Sequence, residues 1–422
     1  MIKPDLKISI IGLGYVGLPL AIEFSRFYDV VGYDVNKKRV IDLNRDIDTS
    51  GETSPTTLKK ATSNRLKITF DNMALANSDV FIVTVPTPIT EKKVPDLKYL
   101  ISACKTVGQY LKKDNLVIFE STVYPGCTEE DCVPILENHS NLIYKKDFHC
   151  GYSPERINPG DKVNTLTNII KITSGSSPKV ANFVDELYNT IITAGTHKTS
   201  SIKIAEAAKA IENVQRDLNI SLVNELAIIF DQLNIDTKEV IDAAGTKWNF
   251  MKFYPGLVGG HCISVDPYYL TYKSRIGGYE PELISSGRRI NENMTLFIAN
   301  KILKMLLKNK IEIIGSKCLI LGITFKENCS DIRNSKVPKL YAELKEFGVD
   351  IDIYDPRAIK EKVQEEFNIK LVKKLKKYDS IILAVSHQEF KTLDFQKLKR
   401  SSKSIIYDLK SFLDKKIVDA RL

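Results

Sequence analysis

Residues Gly12-Leu13-Gly14-Tyr15-Val16-Gly17 constrain this chain more than any other stretch. They follow an apolar run, Ile8–Ile11, that reads as a buried strand over 7–12, and they precede a helically spaced segment at 17–27. A second strand over 29–34 closes on an acid, Asp34, 20 residues beyond Gly14. The three glycines do different things. Gly12 permits the tight turn, Gly14 lets a pyrophosphate approach the backbone, and Gly17 allows close helix–strand packing. The helix N-terminus adds partial positive charge facing the phosphates. Asp34 is expected to accept hydrogen bonds from ribose hydroxyls and to repel a 2′-phosphate, which favours NAD over NADP. Lys37, Lys38 and Arg39 stand against this, as cations able to receive that phosphate. Their other reading is an exposed helix start.

Further strands are expected at 66–70, 79–85 and 115–120, with helical stretches between them. This alternation predicts a doubly wound parallel α/β sheet. Thr84-Val85-Pro86-Thr87-Pro88 breaks the chain at a strand's carboxyl end, where open α/β sheets bind ligands. From 200 to 233, Ile204, Ala208, Ile211, Leu218, Leu222, Leu226, Ile229 and Leu233 recur at helical spacing without proline or glycine. Such a helix would be about 50 Å long. It is expected to link two domains and to pack against a second subunit. After residue 311 a second α/β unit begins, with a strand at 317–323, a helix at 335–347 and a strand at 349–354 before Asp355-Pro356. Leu321-Gly322-Ile323-Thr324-Phe325 lacks the glycine pattern, so this sheet is not expected to hold a dinucleotide in the usual way. The predicted architecture is two Rossmann-like domains, 1–199 and 311–422. Between them lies a central helical and dimerisation region, 200–310.

Composition narrows the class. The 422 residues are 43% hydrophobic and 27% charged, as in a globular protein of two or three domains. No apolar run reaches the roughly 18 residues that cross a bilayer, and no signal-peptide pattern opens the chain. Seven cysteines lack paired disulfide spacing, and Cys127 with Cys132 has no second pair to complete a zinc site. A reducing cytoplasm is the expected location. The net charge of +9 is spread along the chain, with no aromatic-interleaved basic stripe, which argues against nucleic acid. Lys373–Lys377 reads as a solvated surface. The basic balance favours a small anionic substrate such as a nucleotide diphosphate.

Gly259-Gly260-His261-Cys262-Ile263-Ser264-Val265-Asp266-Pro267 supplies the reactive candidates. A lone cysteine is often a small buried hydrophobe. Beside a nicotinamide site it predicts oxidation through a covalent thiohemiacetal, carrying an alcohol past the aldehyde to the acid. Asp266 before Pro267 could instead merely begin a turn.

With both ends in view, the chain resembles the UDP-glucose/UDP-N-acetylhexosamine 6-dehydrogenase family. The resemblance rests on Gly12–Gly17, Val85-Pro86-Thr87-Pro88, Glu120-Ser121-Thr122-Val123, Tyr152-Ser153-Pro154-Glu155-Arg156, Ala207-Ala208-Lys209 with Asn213, Gly259–Asp266, and Phe325-Lys326 with Asp331-Ile332-Arg333. These motifs run in family order over nearly the whole chain. The resemblance implies an NAD domain, a central helix in a dimer interface and a C-terminal domain that helps to hold UDP. Arg156 and Pro159 stand where UDP-glucose enzymes usually carry an aromatic residue and a second glutamate, so the chain is similar to the branch acting on UDP-N-acetylglucosamine or UDP-N-acetylgalactosamine for surface polysaccharides. UDP-glucose and UDP-N-acetylmannosamine remain alternatives, as does a two-electron hydroxyacid dehydrogenase. Ser264 departs from the commoner proline or glycine.

The resemblance also implies roles. Lys209 and Asn213, one helical turn apart, would hold the C6 oxyanion, with Asp266 and a water taking the proton. Cys262 would attack the aldehyde. Glu155 would be general base for thioester cleavage, with Thr122 and Asp266 positioning water. Thr87, Thr122, Arg39 and Arg333 would join the loop residues Leu13, Tyr15 and Val16 around the cofactor. Arg156, Ile157, Arg216, Tyr254, Gly259, Phe325, Lys326 and Lys410 would contact the substrate. Against these stand plainer readings: an exposed helical lysine for Lys209, a helix-start acid for Glu155, solvated surface charge for the other cations.

Overall fold

The computed structural model describes residues 5–157, 163–260 and 263–422. These form two compact units, one of residues 1–212 with 268–279 and the other of 213–267 with 280–422.

The first unit holds an eight-stranded sheet: β1 Lys7–Ile11, β2 Asp29–Tyr33, β3 Leu66–Thr69, β4 Val80–Val83, β5 Leu116–Phe119, β6 His149–Tyr152, β7 Lys171–Gly175 and β8 Thr196–Lys198. Their order is β3-β2-β1-β4-β5-β6-β7-β8, parallel except for the β6/β7 pair. The continuously buried runs explain this arrangement. Four successive residues of β1 and all four of β4 and β5 are buried, as strands covered by helices on both faces must be. The helix Gly17–Phe24 contributes Leu18, Leu20, Ala21 and Phe24 to the core. Strand order reverses between β1 and β4, so the turns after these strands flank the crevice where such sheets bind ligands.

The long helix runs from Ile202 to Leu233, 32 residues. No helix among the described residues is long and apolar enough to cross a membrane.

The second unit carries a five-stranded, wholly parallel sheet of β9 Lys317–Leu321, β10 Asp350–Tyr354, β11 Ser380–Leu383, β12 Ile405–Asp408 and β13 Ala420–Arg421, in the order β10-β9-β11-β12-β13. The helix Val337–Glu346 and the 27-residue helix Glu282–Lys308 pack their apolar stripes into its core. The turn after β9 copies the wiring of the turn after β1. Gly322 has φ +91° and Gly12 has φ +97°. Asp355 Oδ2 accepts from the Ile323 N–H at 2.7 Å, as Asp34 Oδ2 accepts from the Leu13 N–H at 2.8 Å. The copy then diverges. Fully buried His387 brings Nε2 to 3.2 Å from Asp355 Oδ2, so an imidazole covers the acid that a ribose would otherwise meet.

Candidate active site

The loop after β1 is shaped for a phosphate-bearing ligand. A Cβ on Gly17 would lie 1.9 Å from the Gly12 carbonyl oxygen and 2.4 Å from Thr84 Oγ1, so only glycine lets the helix start there. A Cβ on Gly14 would meet nothing within 4 Å, which leaves open space beside that backbone. Asp34 accepts one N–H on each oxygen, from Leu13 at 2.8 Å and Asn36 at 2.8 Å. A carboxylate has about four acceptor positions, so capacity remains for ribose hydroxyls. These residues fit NAD. Lys37 and Lys38 are exposed, as a helix start would be, but Arg39 is not. Its Nε donates to the Leu13 carbonyl at 2.9 Å, and its guanidinium pairs with Asp48 at 2.7 Å and reaches Thr49 at 3.1 Å. Arg39 thus ties the glycine loop to residues 48–49, which removes it as a ready receptor for a 2′-phosphate.

Beyond the other strand ends of this unit lies a polar wall. Thr87 Oγ1 donates to the Thr122 carbonyl at 2.7 Å, and Tyr269 OH donates to the Thr87 carbonyl at 2.7 Å. Glu155 is nearly enclosed. Its Oε1 accepts the N–H groups of Arg156 at 2.6 Å and Ile157 at 2.7 Å, and its Oε2 lies 2.9 Å from Lys171 Nζ. Lys171 also reaches Glu120 Oε2 at 2.7 Å, and Tyr188 OH donates to the other Glu120 oxygen. Burial pushes the Glu120 carboxyl up to about 6, with Lys171 opposing that rise and Glu155 adding to it. Burial disfavours the Lys171 ammonium, but the two carboxylates overcome this and raise its pKa. Arg156 pairs with Glu212 at 2.8 Å and donates to the Ile170 carbonyl at 2.9 Å. Ile157 is half-buried against the sheet's core. Lys209, on the long helix, is only 7% exposed. Among the described residues no hydrogen bond or ion pair engages its ammonium. A cation so desolvated is costly unless something anionic meets it.

In the second unit, Asn213 Nδ2 donates to Asp266 Oδ2 at 2.5 Å, and Asp266 is 3% exposed. Close packing explains the glycine pair. A Cβ on Gly259 would lie 2.7 Å from the Asn334 carbonyl oxygen, and one on Gly260 (φ +87°) 2.9 Å from the Phe325 ring. Ser264 Oγ donates to the Gly260 carbonyl at 2.6 Å, a bond that proline or glycine could not make. Asn224 grips the same loop by donating to the Gly256 carbonyl at 3.1 Å and accepting from the Gly256 N–H at 2.8 Å. Lys410 Nζ lies against Gly256, and burial holds its pKa below the ordinary lysine value. Lys326 rests its ammonium over the Phe325 ring at 5.5 Å. His261 and Cys262 lie outside the described residues.

The candidates therefore group unevenly. Thr87 with Thr122, Asn213 with Asp266, and Gly260 with Phe325 are neighbours. Arg333 instead forks onto Asp331, with Nη2 at 2.6 Å. Tyr254 donates to Asp242 at 3.1 Å, and Arg216 is exposed. Two residues escaped sequence reasoning: Lys171, and Glu120 as more than a motif letter. A lysine inside the β-branched stretch Ile169-Ile170-Lys171-Ile172-Thr173 was the available signal, since a charge on a buried strand needs partners.

Family models cover almost the whole chain. The NAD binding domain of the UDP-glucose/GDP-mannose dehydrogenase family matches residues 6–192, its central domain 203–293 and its UDP binding domain 319–415. A UDP-N-acetyl-D-glucosamine 6-dehydrogenase of Pseudomonas aeruginosa is 53% identical over 422 residues, covering 99% of this chain and 100% of that protein. One of the same name from Salmonella typhi is also 53% identical over 422 residues, with 99% of each chain covered. Among solved structures, a UDP-D-ManNAc dehydrogenase from Pyrococcus horikoshii superposes with a TM-score of 0.88 at 33% identity, covering 97% of this chain and 96% of its own.

Proposed function

Because this chain belongs to the UDP-glucose/GDP-mannose dehydrogenase family, we propose that it oxidises the C6 hydroxyl of a UDP-N-acetylhexosamine, the gluco or galacto epimer, to the carboxylate. The observation that carries the substrate choice is the end-to-end likeness to relatives named for UDP-N-acetyl-D-glucosamine. NAD⁺, held by Gly12–Gly17, Asp34 and the Thr87–Thr122 wall, supplies the hydride acceptor for both oxidations.

The chain's own residues do the rest. Lys209 supports the C6 oxygen as negative charge builds on it, and Asn213, oriented by Asp266, donates beside it. One preorganised donor of this kind contributes roughly 3 kcal/mol to the transition state. Asp266, through a water, takes the hydroxyl proton. Cys262 adds as thiolate to the aldehyde, and the second oxidation leaves an acyl group on its sulfur. Glu155 then draws a proton from the water that cleaves this thioester, with Thr122 and Asp266 placing that water. Arg156, Ile157, Arg216, Tyr254, Gly259, Phe325, Lys326 and Lys410 are assigned to the UDP-sugar, and Arg39 and Arg333 to the cofactor's surroundings. The work divides among three segments, with NAD binding by 1–199, dimerisation and chemistry by 200–310, and UDP binding by 311–422. The enzyme works in the cytoplasm as a homodimer or larger assembly, and its product feeds surface polysaccharide synthesis.

A panel of UDP-sugars tests this reading through kcat/KM with NAD⁺. Preference for UDP-N-acetylglucosamine or UDP-N-acetylgalactosamine is expected. Clear preference for UDP-glucose or UDP-N-acetylmannosamine overturns the epimer and acetamido assignment.

A further inference from the structure

The buried array of Glu120, Lys171, Glu155 and Tyr188 is larger than a structural ion pair needs. Lys171 opens β7 and is 2% exposed. Its ammonium reaches Glu120 Oε2 at 2.7 Å and Glu155 Oε2 at 2.9 Å, and it lies 5.5 Å from the Tyr188 ring centroid. Every facing group can be named: Glu120 just past β5, Glu155 past β6, Tyr188 from the helix Pro178–Asn189, and neutral Ser153, whose hydroxyl donates to the Ile172 carbonyl at 2.7 Å. Arg156 does not join them, since its guanidinium pairs with Glu212. One ammonium thus serves two carboxylates. Replacing such an array by apolar groups of similar volume is often neutral or stabilising, so stability alone does not call for it. What the array does achieve is to fix Glu155 at both oxygens, one by backbone N–H groups and the other by Lys171.

We infer that Lys171 is a positioning residue for the hydrolytic step, holding the Glu155 carboxylate aimed while Glu120 and Tyr188 hold Lys171. This rests on the reading of Glu155 as the base of that step. There, the water oxygen bonds to the thioester carbonyl carbon and Glu155 takes the water's proton. The carbon–sulfur bond breaks, and its electron pair leaves with the Cys262 sulfur as thiolate. No electron acceptor is consumed.

The test mixes enzyme with UDP-N-acetylglucosamine and NAD⁺, quenches in acid, and follows the acyl-enzyme by intact mass across pH 5.5–9. Glu155→Gln should accumulate the adduct. Lys171→Met should accumulate it too, with NAD⁺ affinity and the first hydride transfer little changed, because only the aim of Glu155 is lost. Lys171→Arg should restore deacylation to within about threefold of wild type. Glu120→Gln should also slow deacylation, since Lys171 then loses the charge that holds it from the other side. A merely structural role predicts losses in both steps alike and no rescue by arginine. If Glu155→Gln accumulates adduct while Lys171→Met deacylates at the wild-type rate, the inference fails and the Glu155 reading stands. If Glu155→Gln turns over without adduct, both fall. Should Lys171→Met not fold, Glu120→Gln decides: slowed deacylation supports the inference, wild-type deacylation overturns it.

Discussion

Replacing Gly14 and Gly17 separately by alanine divides cofactor binding from folding. At Gly17 the new methyl would sit 1.9 Å from the Gly12 carbonyl oxygen, so the helix must retreat by about 1.1 Å to reach the 3.0 Å that real contacts need. That helix buries Leu18, Leu20, Ala21 and Phe24 completely, and all four would lose contacts together. Overpacking of this kind costs about 1–3 kcal/mol, and the upper end applies because the obstacle is backbone. At roughly 2–4 °C per kcal/mol for a unit of this size, Gly17→Ala should lower Tm by about 6–12 °C. Gly14→Ala meets no atom within 4 Å. Its stability should stay within about 0.5 kcal/mol of wild type, while the methyl occupies the space a pyrophosphate needs. NAD⁺ affinity should fall at least tenfold, about 1.4 kcal/mol. Differential scanning calorimetry paired with titration calorimetry of NAD⁺ reads both quantities. A Gly14→Ala protein that binds NAD⁺ normally, or melts as early as Gly17→Ala, would refute the reasoning.

Lys209→Ala should lower kcat by about 10²–10³ with much less change in UDP-sugar affinity, the signature of a donor used in the transition state; steady-state kinetics beside equilibrium binding separates the two, and a pure KM effect contradicts the role. Gly259→Ala would press a methyl to 2.7 Å from the Asn334 carbonyl oxygen, so activity should drop steeply while NAD⁺ binding by the first unit persists, as titration calorimetry would show. Glu206 accepts the N–H groups of Gly126 at 2.5 Å and Thr128 at 2.9 Å, and burial pushes its carboxyl up to about 7. The folded state then holds this proton where the unfolded chain has lost it, so stability should fall as pH rises from about 4.5 to 7, by on the order of 3 kcal/mol. Glu120 adds to the same slope, and Glu206→Gln should flatten it in Tm-against-pH curves.

The fold was legible where burial covers both faces of a strand. Val80–Val83 and Leu116–Phe119 are apolar without a break, Ile8–Ile11 is interrupted only by buried Ser9, and the strands lie there to within a residue or two of expectation. The strands after β5 were harder to read. β6 is four residues with a glycine inside, and β7 begins on a lysine, so neither carries the pattern of a buried strand. The glycine motifs could be read because their cause is local: a positive φ or a missing Cβ acts within a few residues. The partners of Glu155 could not. Lys171 is 16 residues from Glu155 and 51 from Glu120, and only the β5-β6-β7 adjacency unites them. Arg39 shows the same limit, since its bonds to Leu13 and Asp48 depend on how two loops meet.

The central claim is that one sulfur carries an alcohol through two successive oxidations without releasing the aldehyde. Counting NADH against sugar consumed, with the product identified by NMR, tests it most directly. Two NADH and a 6-carboxylate per sugar are expected from the wild type, and no acid from Cys262→Ala, whose NAD⁺ binding should survive. One NADH per sugar, or undiminished acid from Cys262→Ala, would contradict it.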